Sequence, residues 1–284
     1  MVPTSIRELV VDGRERRMVV QTPPDARGRL PLLLVFHGSN QTAEVFRRFT
    51  DGSFDALADE GRAVVASLDG YEKHWNDARK GITFAARTEN VDDVAFTRAA
   101  VAALVADGAV DPARVYAFGF SNGGQLVVRL IHEAPDLIAG AAMVGATQPE
   151  PSNFIDSGAP VRSMPVLAIH GTRDPLVPYD GGMASLWGLM PRGRGLSAPD
   201  SAAYFARRNG ITAEPTVTEI PPLEGSHTSV TRTEYRQDGH DPVTLLTVIG
   251  GGHTVPGPGR ASLVMGRTSH EITALDEVAG FFGL

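Results

Sequence analysis

One stretch restricts the architecture more than any other: Val115-Tyr116-Ala117-Phe118-Gly119-Phe120-Ser121-Asn122-Gly123-Gly124. It reads as a short apolar strand, a G-x-S-x-G turn and the first residues of a helix. Such a turn pushes one serine hydroxyl out of the fold in a strained backbone conformation. The flanking glycines are required because a Cβ at either position would strike the adjoining strand or helix. Leu126, Val127, Leu130 and Ile131 follow with helical spacing, so Ser121 stands where a strand hands over to a buried helix.

The rest of the chain alternates strand and helix signals. Residues 6–11 and 16–21 predict a hairpin around Asp12-Gly13, a favoured two-residue turn. Residues 32–36 and 63–68 are continuous apolar runs, as expected of strands covered on both faces. Residues 91–105 predict a helix whose stripe is Val94, Ala95, Val101, Leu104 and Val105, and Asp92 and Asp93 suit its positive N-terminus. Strands are expected at 137–144, 165–169, 216–220, 228–235 and 243–249, and helices at 201–208 and 271–282. This order predicts an α/β fold, a mostly parallel central sheet with helices on both faces. With 284 residues, no repeats and no low-complexity linker, residues 1–284 are expected to form one catalytic domain.

Composition removes several function classes. The net charge is −7, so there is no basic footprint for nucleic acid. There is no cysteine, which excludes disulfides, thiolate nucleophiles and Cys-bound zinc. No HExxH motif, Walker loop or dinucleotide fingerprint is present, so neither metal nor cofactor is expected. No apolar run reaches the ~20 residues of a membrane span. The first residues carry no apolar signal region, which fits a cytoplasmic protein, or a secreted one from which a signal has been removed.

A serine hydroxyl needs a base, and the base needs an orienting acid. On a strand–elbow–helix scaffold these partners follow in the order serine, acid, histidine. Asp174, just past the apolar run 165–169, is the favoured acid, with Asp180 as the alternative. His253 follows Gly250-Gly251-Gly252 at the end of another strand, and the three glycines let the loop curl toward Ser121. His132, His227, His240 and His270 lack such a setting. The oxyanion of a tetrahedral intermediate needs backbone donors. Asn122 is expected to supply one, and Ser39 in His37-Gly38-Ser39-Asn40 the other.

Taken together, several segments resemble the α/β-hydrolase esterases of the polyhydroxybutyrate depolymerase and feruloyl esterase type. They are Phe36-His37-Gly38-Ser39 with Gln41, residues 54–61, Trp75-Asn76-Asp77-Ala78-Arg79, residues 91–96, Asp111-Pro112-Ala113-Arg114, the serine elbow, His170-Gly171-Thr172-Arg173-Asp174, and Gly250-Gly251-Gly252-His253-Thr254-Val255-Pro256-Gly257. The resemblance implies an α/β-hydrolase fold and hydrolysis of a small or oligomeric carboxylic ester without metal or organic cofactor. Family members act on short polyesters, hydroxycinnamoyl esters or acetylated sugars. It also implies that Trp75 and Asn76 lie at the rim of the site, although Trp75 equally suits a loop anchor in the core. Val255 stands beside the base where the family often has tryptophan, Ala95 stands where glycine is usual, and the cysteines of many secreted relatives are missing.

Substrate selection is expected from the Pro-, Gly- and Ser-rich stretches 145–164 and 180–200, with Trp187, Leu189 and Met190 as pocket candidates. Two other readings use the same scaffold. An acyltransferase would deliver the acyl group from Ser121 to an alcohol, and a non-catalytic binding protein would keep only the fold. The sequence does not bear on oligomeric state.

Overall fold

A computed structural model describes residues 2–24, 28–186, 188–259 and 261–284. The strands are β1 (Thr4–Val11), β2 (Arg14–Gln21), β3 (Leu30–Phe36), β4 (Val64–Leu68), β5 (Val110–Phe120), β6 (Gly140–Val144), β7 (Val166–Gly171), β8 (Gly182–Met183), β9 (Arg194–Gly195), β10 (Thr216–Ile220), β11 (Ser229–Tyr235) and β12 (Val243–Ile249). The helices are α1 (Ala43–Phe49), α2 (Ala56–Asp59), α3 (Ala85–Thr88), α4 (Asp93–Ala106), α5 (Asn122–Glu133), α6 (Ala198–Arg208) and α7 (Ala274–Phe282).

Ten strands form one sheet in the order β1-β2-β4-β3-β5-β6-β7-β12-β11-β10. The run from β4 to β12 is parallel, and both margins are antiparallel. The β1–β2 hairpin turns on Asp12 and Gly13, at φ 51° and 72°, the left-handed pair that matches the twist of flanking strands. Alternate residues of β3 face opposite layers. Leu32, Leu34 and Phe36 join the residues of α4, α5 and α6, whereas Leu33 and Val35 pack with Phe46 of α1, Leu57 of α2 and Val278 of α7. Both faces are therefore covered, which is why the central strands read as unbroken apolar runs.

Several boundaries differ from expectation, among them β6, which starts at Gly140, and α6, which starts at Ala198; three others have clear local reasons. β5 starts at Val110, and its register against β3 slips between Leu30 and Leu32. Pro112 cannot donate to a ladder, so the strand passes it as an irregularity instead of starting after it. The closing helix starts at Ala274, because Thr273 caps it by accepting the Asp276 N–H at 3.0 Å. Glu271 lies outside that helix and accepts hydrogen bonds from Thr228 and Ser269 instead. At the start of α4, Asp92 caps the helix by accepting the Ala95 N–H at 2.8 Å. Asp93 instead forms a buried ion pair with Arg16 of β2 at 2.6 Å.

The register decides where the site can be. β3 lies between β4 and β5, so the chain leaves it in opposite directions, and the crevice opens at the carboxyl ends of the strands. Phe36 pairs with Gly119, which sets the turn after β3 beside the elbow after β5. Val248 pairs with Gly171, which sets the loops after β7 and β12 next to each other.

Candidate active site

Ser121 leaves β5 at φ 55° and ψ −114°, a backbone conformation that costs about 1–3 kcal/mol and must be held by its surroundings. They hold it closely. The Ser121 N–H donates to Val144 O at 2.8 Å, and Ser121 O accepts the Gln125 N–H at 2.9 Å. A Cβ on Gly123 would stand 2.2 Å from Phe36 O, and one on Gly119 would stand 2.3 Å from Gly123 O. The Ser121 side chain makes no capping bond to the helix, which leaves its hydroxyl to the cavity it lines.

His253 and Asp174 meet from the two neighbouring loops. His253 Nδ1 lies 2.6 Å from Asp174 Oδ2. Asp174 Oδ1 accepts the N–H groups of Leu176 and Val177, each at 2.8 Å. Burial pushes the Asp174 carboxyl upward, but the charge and hydrogen bond of His253, the nearby His170 and the Val177 amide outweigh it and hold it below the usual range. The carboxylate thus fixes the proton of His253 on Nδ1 and leaves Nε2 as the acceptor. His253 Nε2 is buried without a protein hydrogen-bond partner, and His253 lines the same cavity as Ser121. Asp180 is exposed and takes no part.

The glycine run before His253 works differently from the expected curl. Of the three, Gly250 alone has a positive φ, 75°. Gly252 is required by close approach, since its Cβ would stand 2.0 Å from Met265 O. The His253 N–H donates to Met265 O at 2.7 Å, and the Gly252 N–H to Arg267 O at 2.9 Å, so residues 265–267 clamp the histidine loop.

The turn after β3 is held from three sides. Trp75 Nε1 donates to His37 O at 2.9 Å, and the Gly38 N–H donates to Gln41 Oε1 at 2.9 Å. His37 Nε2 accepts the Gly70 N–H at 2.9 Å, so its proton is on Nδ1 and is donated to Gly38 O at 2.7 Å. That tautomer is neutral, and burial lowers the His37 pKa to about 4. Ser39 follows this braced pair and lines the cavity with its hydroxyl oxygen buried and unpartnered. Asn122 is the first residue of α5, so its N–H has no acceptor within the helix. Its side chain is tied down, with Oδ1 accepting the Trp75 N–H at 2.9 Å and Nδ2 donating to Asp77 Oδ2 at 2.6 Å. Asp77 also pairs with Arg79, and both are buried.

The residues expected to touch substrate are placed elsewhere. Trp75 is fully buried and meets Phe36 edge-on at 5.4 Å, so it braces the β3 turn and forms no rim. Asn76 is buried too, bonding Asp93 Oδ2 through its N–H and Val91 O through Nδ2. Val255 packs into the apolar layer with Ile272 and Val278 and does not line the cavity. Leu189 and Met190 are exposed and away from it. Trp187 lies outside the described residues.

The cavity at Ser121 measures about 160 Å³. Phe49, Phe120, Leu176, Leu186 and Met265 give it apolar walls, and Gln41 and Arg192 add polar groups. None of these was singled out as a pocket residue, because they come from six separate segments that no spacing connects. Gly145 was missed as well: a Cβ there would stand 2.9 Å from His253 Cε1. A wider open groove of about 770 Å³ runs past Arg173, His227 and His270 but contains neither Ser121 nor His253. Among the described residues no His, Cys, Asp or Glu cluster could hold a metal ion. No helix among them is long and apolar enough to cross a membrane.

Comparison with known proteins agrees with this architecture. Residues 78–186 match the family described as Phospholipase/Carboxylesterase. A Nocardia uniformis subsp. tsuyamanensis protein named "Putative esterase NocK" is 34% identical over 291 residues, covering 98% of this chain and 82% of that protein. Feruloyl esterase B of Piromyces equi is 30% identical over 254 residues, covering 84% of this chain and 42% of that protein. The acetyl xylan esterase of Aspergillus awamori superposes with a TM-score of 0.62 at 14% identity, covering 98% of this chain and 99% of that one, a likeness of fold. The chain belongs to the α/β-hydrolase esterases and is a carboxylic ester hydrolase.

Proposed function

We propose that this hydrolase cleaves short esters through an acyl-Ser121 intermediate, with His253 as base and Asp174 as its orienting acid, all within one catalytic domain spanning residues 1–284. One observation carries the reading: Ser121 and the unpartnered Nε2 of His253 share a cavity, and the other ring nitrogen of His253 meets Asp174 at 2.6 Å. His253 Nε2 takes the proton as Ser121 Oγ attacks the ester carbonyl. The N–H groups of Ser39 and Asn122 receive the oxyanion. The intermediate collapses, and His253 returns the proton to the departing alcohol. Water, deprotonated by the same nitrogen, then attacks the acyl-enzyme, and Ser121 recovers its proton. Asp174 stabilises the imidazolium formed at each step.

The small apolar cavity, about 160 Å³, suits a short acyl group. Acetyl, 3-hydroxybutyryl and, at the upper limit, hydroxycinnamoyl esters fit this description, and the named activities of the feruloyl and acetyl xylan esterases point the same way. The test is hydrolysis of p-nitrophenyl acetate, butyrate and octanoate, methyl ferulate and a 3-hydroxybutyrate oligomer. Wild type, Ser121→Ala and His253→Ala would be compared. Each variant is expected to lose at least ~10³-fold in kcat, and the acetate and butyrate to outpace the octanoate. Full activity in both variants would overturn the assignment.

A further inference from the structure

Among the described residues, one charged side chain of the cavity has no polar partner in the protein. Arg192 lines it together with Ser121 and His253, half-buried. Other buried or half-buried arginines in the structure are engaged: Arg16 with Asp93, Arg47 with Asp55, Arg79 with Asp77, and Arg87 with the carbonyls of Asp77 and Arg79. Among the described residues, no carboxylate lies within ion-pair distance of Arg192, and its guanidinium donates no hydrogen bond to the protein. Its one close partner is the Phe84 ring, 5.1 Å from its Cζ to the centroid. Burial and the neighbouring charge of Arg79 both act against its protonated form. The charge of Asp77 offsets this only in part, and Asp77 makes its own hydrogen bonds to Arg79 and Asn122. A guanidinium kept half-desolvated and unpaired is costly unless something else pairs with it.

Resting on the acyl-serine reading above, we infer that Arg192 is a specificity-determining residue that receives a carboxylate of the substrate, so that the preferred ester carries a free carboxylate close to the bond that is cut. The planar fork of an arginine matches a carboxylate through two parallel hydrogen bonds. Among the described residues, no acidic side chain lines the cavity to compete for it. The inference also divides the candidate substrates. An oligomer of a hydroxy acid ends in a carboxylate, whereas acetyl and hydroxycinnamoyl sugar esters are neutral.

The experiment uses two matched pairs. The 3-hydroxybutyrate dimer and its carboxamide place the charge on the alcohol half. Mono-p-nitrophenyl glutarate and its carboxamide place it on the acyl half. Wild type is expected to favour the anionic member of at least one pair by about 10- to 100-fold in kcat/KM. Arg192→Gln should bring that ratio to near one, and Arg192→Lys should keep part of it. Calorimetric binding of 3-hydroxybutyrate and glutarate, which needs no turnover, should weaken in parallel. Ratios near one in wild type for both pairs, or a preference that persists in Arg192→Gln, would overturn the inference. Carboxylates that bind in an Arg192-dependent way to a protein that cleaves no ester would instead sink the hydrolytic reading and leave the anion site standing. If Arg192→Gln fails to fold, the Lys variant and the loss of wild-type preference in high salt carry the test.

Discussion

Gly145 and His253 stand so close that a Cβ on the glycine would fall 2.9 Å from the ring's Cε1 and 3.0 Å from its Nδ1. Gly145 also has φ 61°, where a side chain is strained whatever the space around it. Gly145→Ala should therefore tilt the imidazole away from Asp174 and Ser121. The expected outcome is a 10- to 100-fold fall in kcat with KM little changed, and a stability loss of about 1 kcal/mol. Steady-state kinetics on p-nitrophenyl acetate check it, and an unchanged kcat would show that the ring position is not set by this contact.

Asp77 joins stability to the geometry of the proposed oxyanion site. Asp77→Ala would strand the buried Arg79 guanidinium and leave the Asn122 side chain held by the Trp75 backbone alone. Breaking a buried pair in this way costs about 3–5 kcal/mol. Urea unfolding should show that loss, and kcat should fall with it. Adding Arg79→Ala should recover part of the stability, since no unpaired charge remains, but not the rate, since Asn122 still lacks its bond to Asp77. Recovery of both together would mean that Asn122 needs no anchor.

His37 and His132 make folding depend on pH. His37 and His132 are buried, and burial lowers each pKa from 6.5 to about 4. Both are neutral in the fold and both gain protons more readily when unfolded. Their contribution is therefore complete above about pH 6.5 and is lost as pH falls toward 4. Each should cost about 2 kcal/mol by pH 5. Urea titrations at pH 7.5 and pH 5 would show the drop, and His132→Gln should remove about 2 kcal/mol of it. A flat profile between these pH values would refute the buried neutral state.

Strands were legible where burial on both faces leaves a plain apolar run, as in β12, and the exposed edge strand β10 was legible from its β-branched residues. Helix α1 was not seen, because its seven residues spread Ala43, Phe46 and Phe49 among charged neighbours and give too short a period to recognise. The elbow glycines could be read because steric conflict is written in the motif itself. Trp75 could not be assigned from its loop, since its role depends on a carbonyl 38 positions away, His37 O. Arg192 lies, with Leu186, in the stretch 180–200 expected to select substrate, but nothing along the chain picks it out. Its meaning comes from what is missing around it, and a sequence records neighbours along the chain, not the lack of a counterion in space.

The hydrogen bond from the His253 amide to the Met265 carbonyl has an evolutionary consequence. The segment that clamps the histidine also supplies a wall of the cavity. Most scaffolds of this kind let recognition loops drift while the reactive groups stay fixed. Here, insertions around position 265 that reshape the wall would also move the ring. Lineages changing substrate are therefore steered toward the other wall, at Leu186 and Arg192, since Leu176 is itself bonded to Asp174.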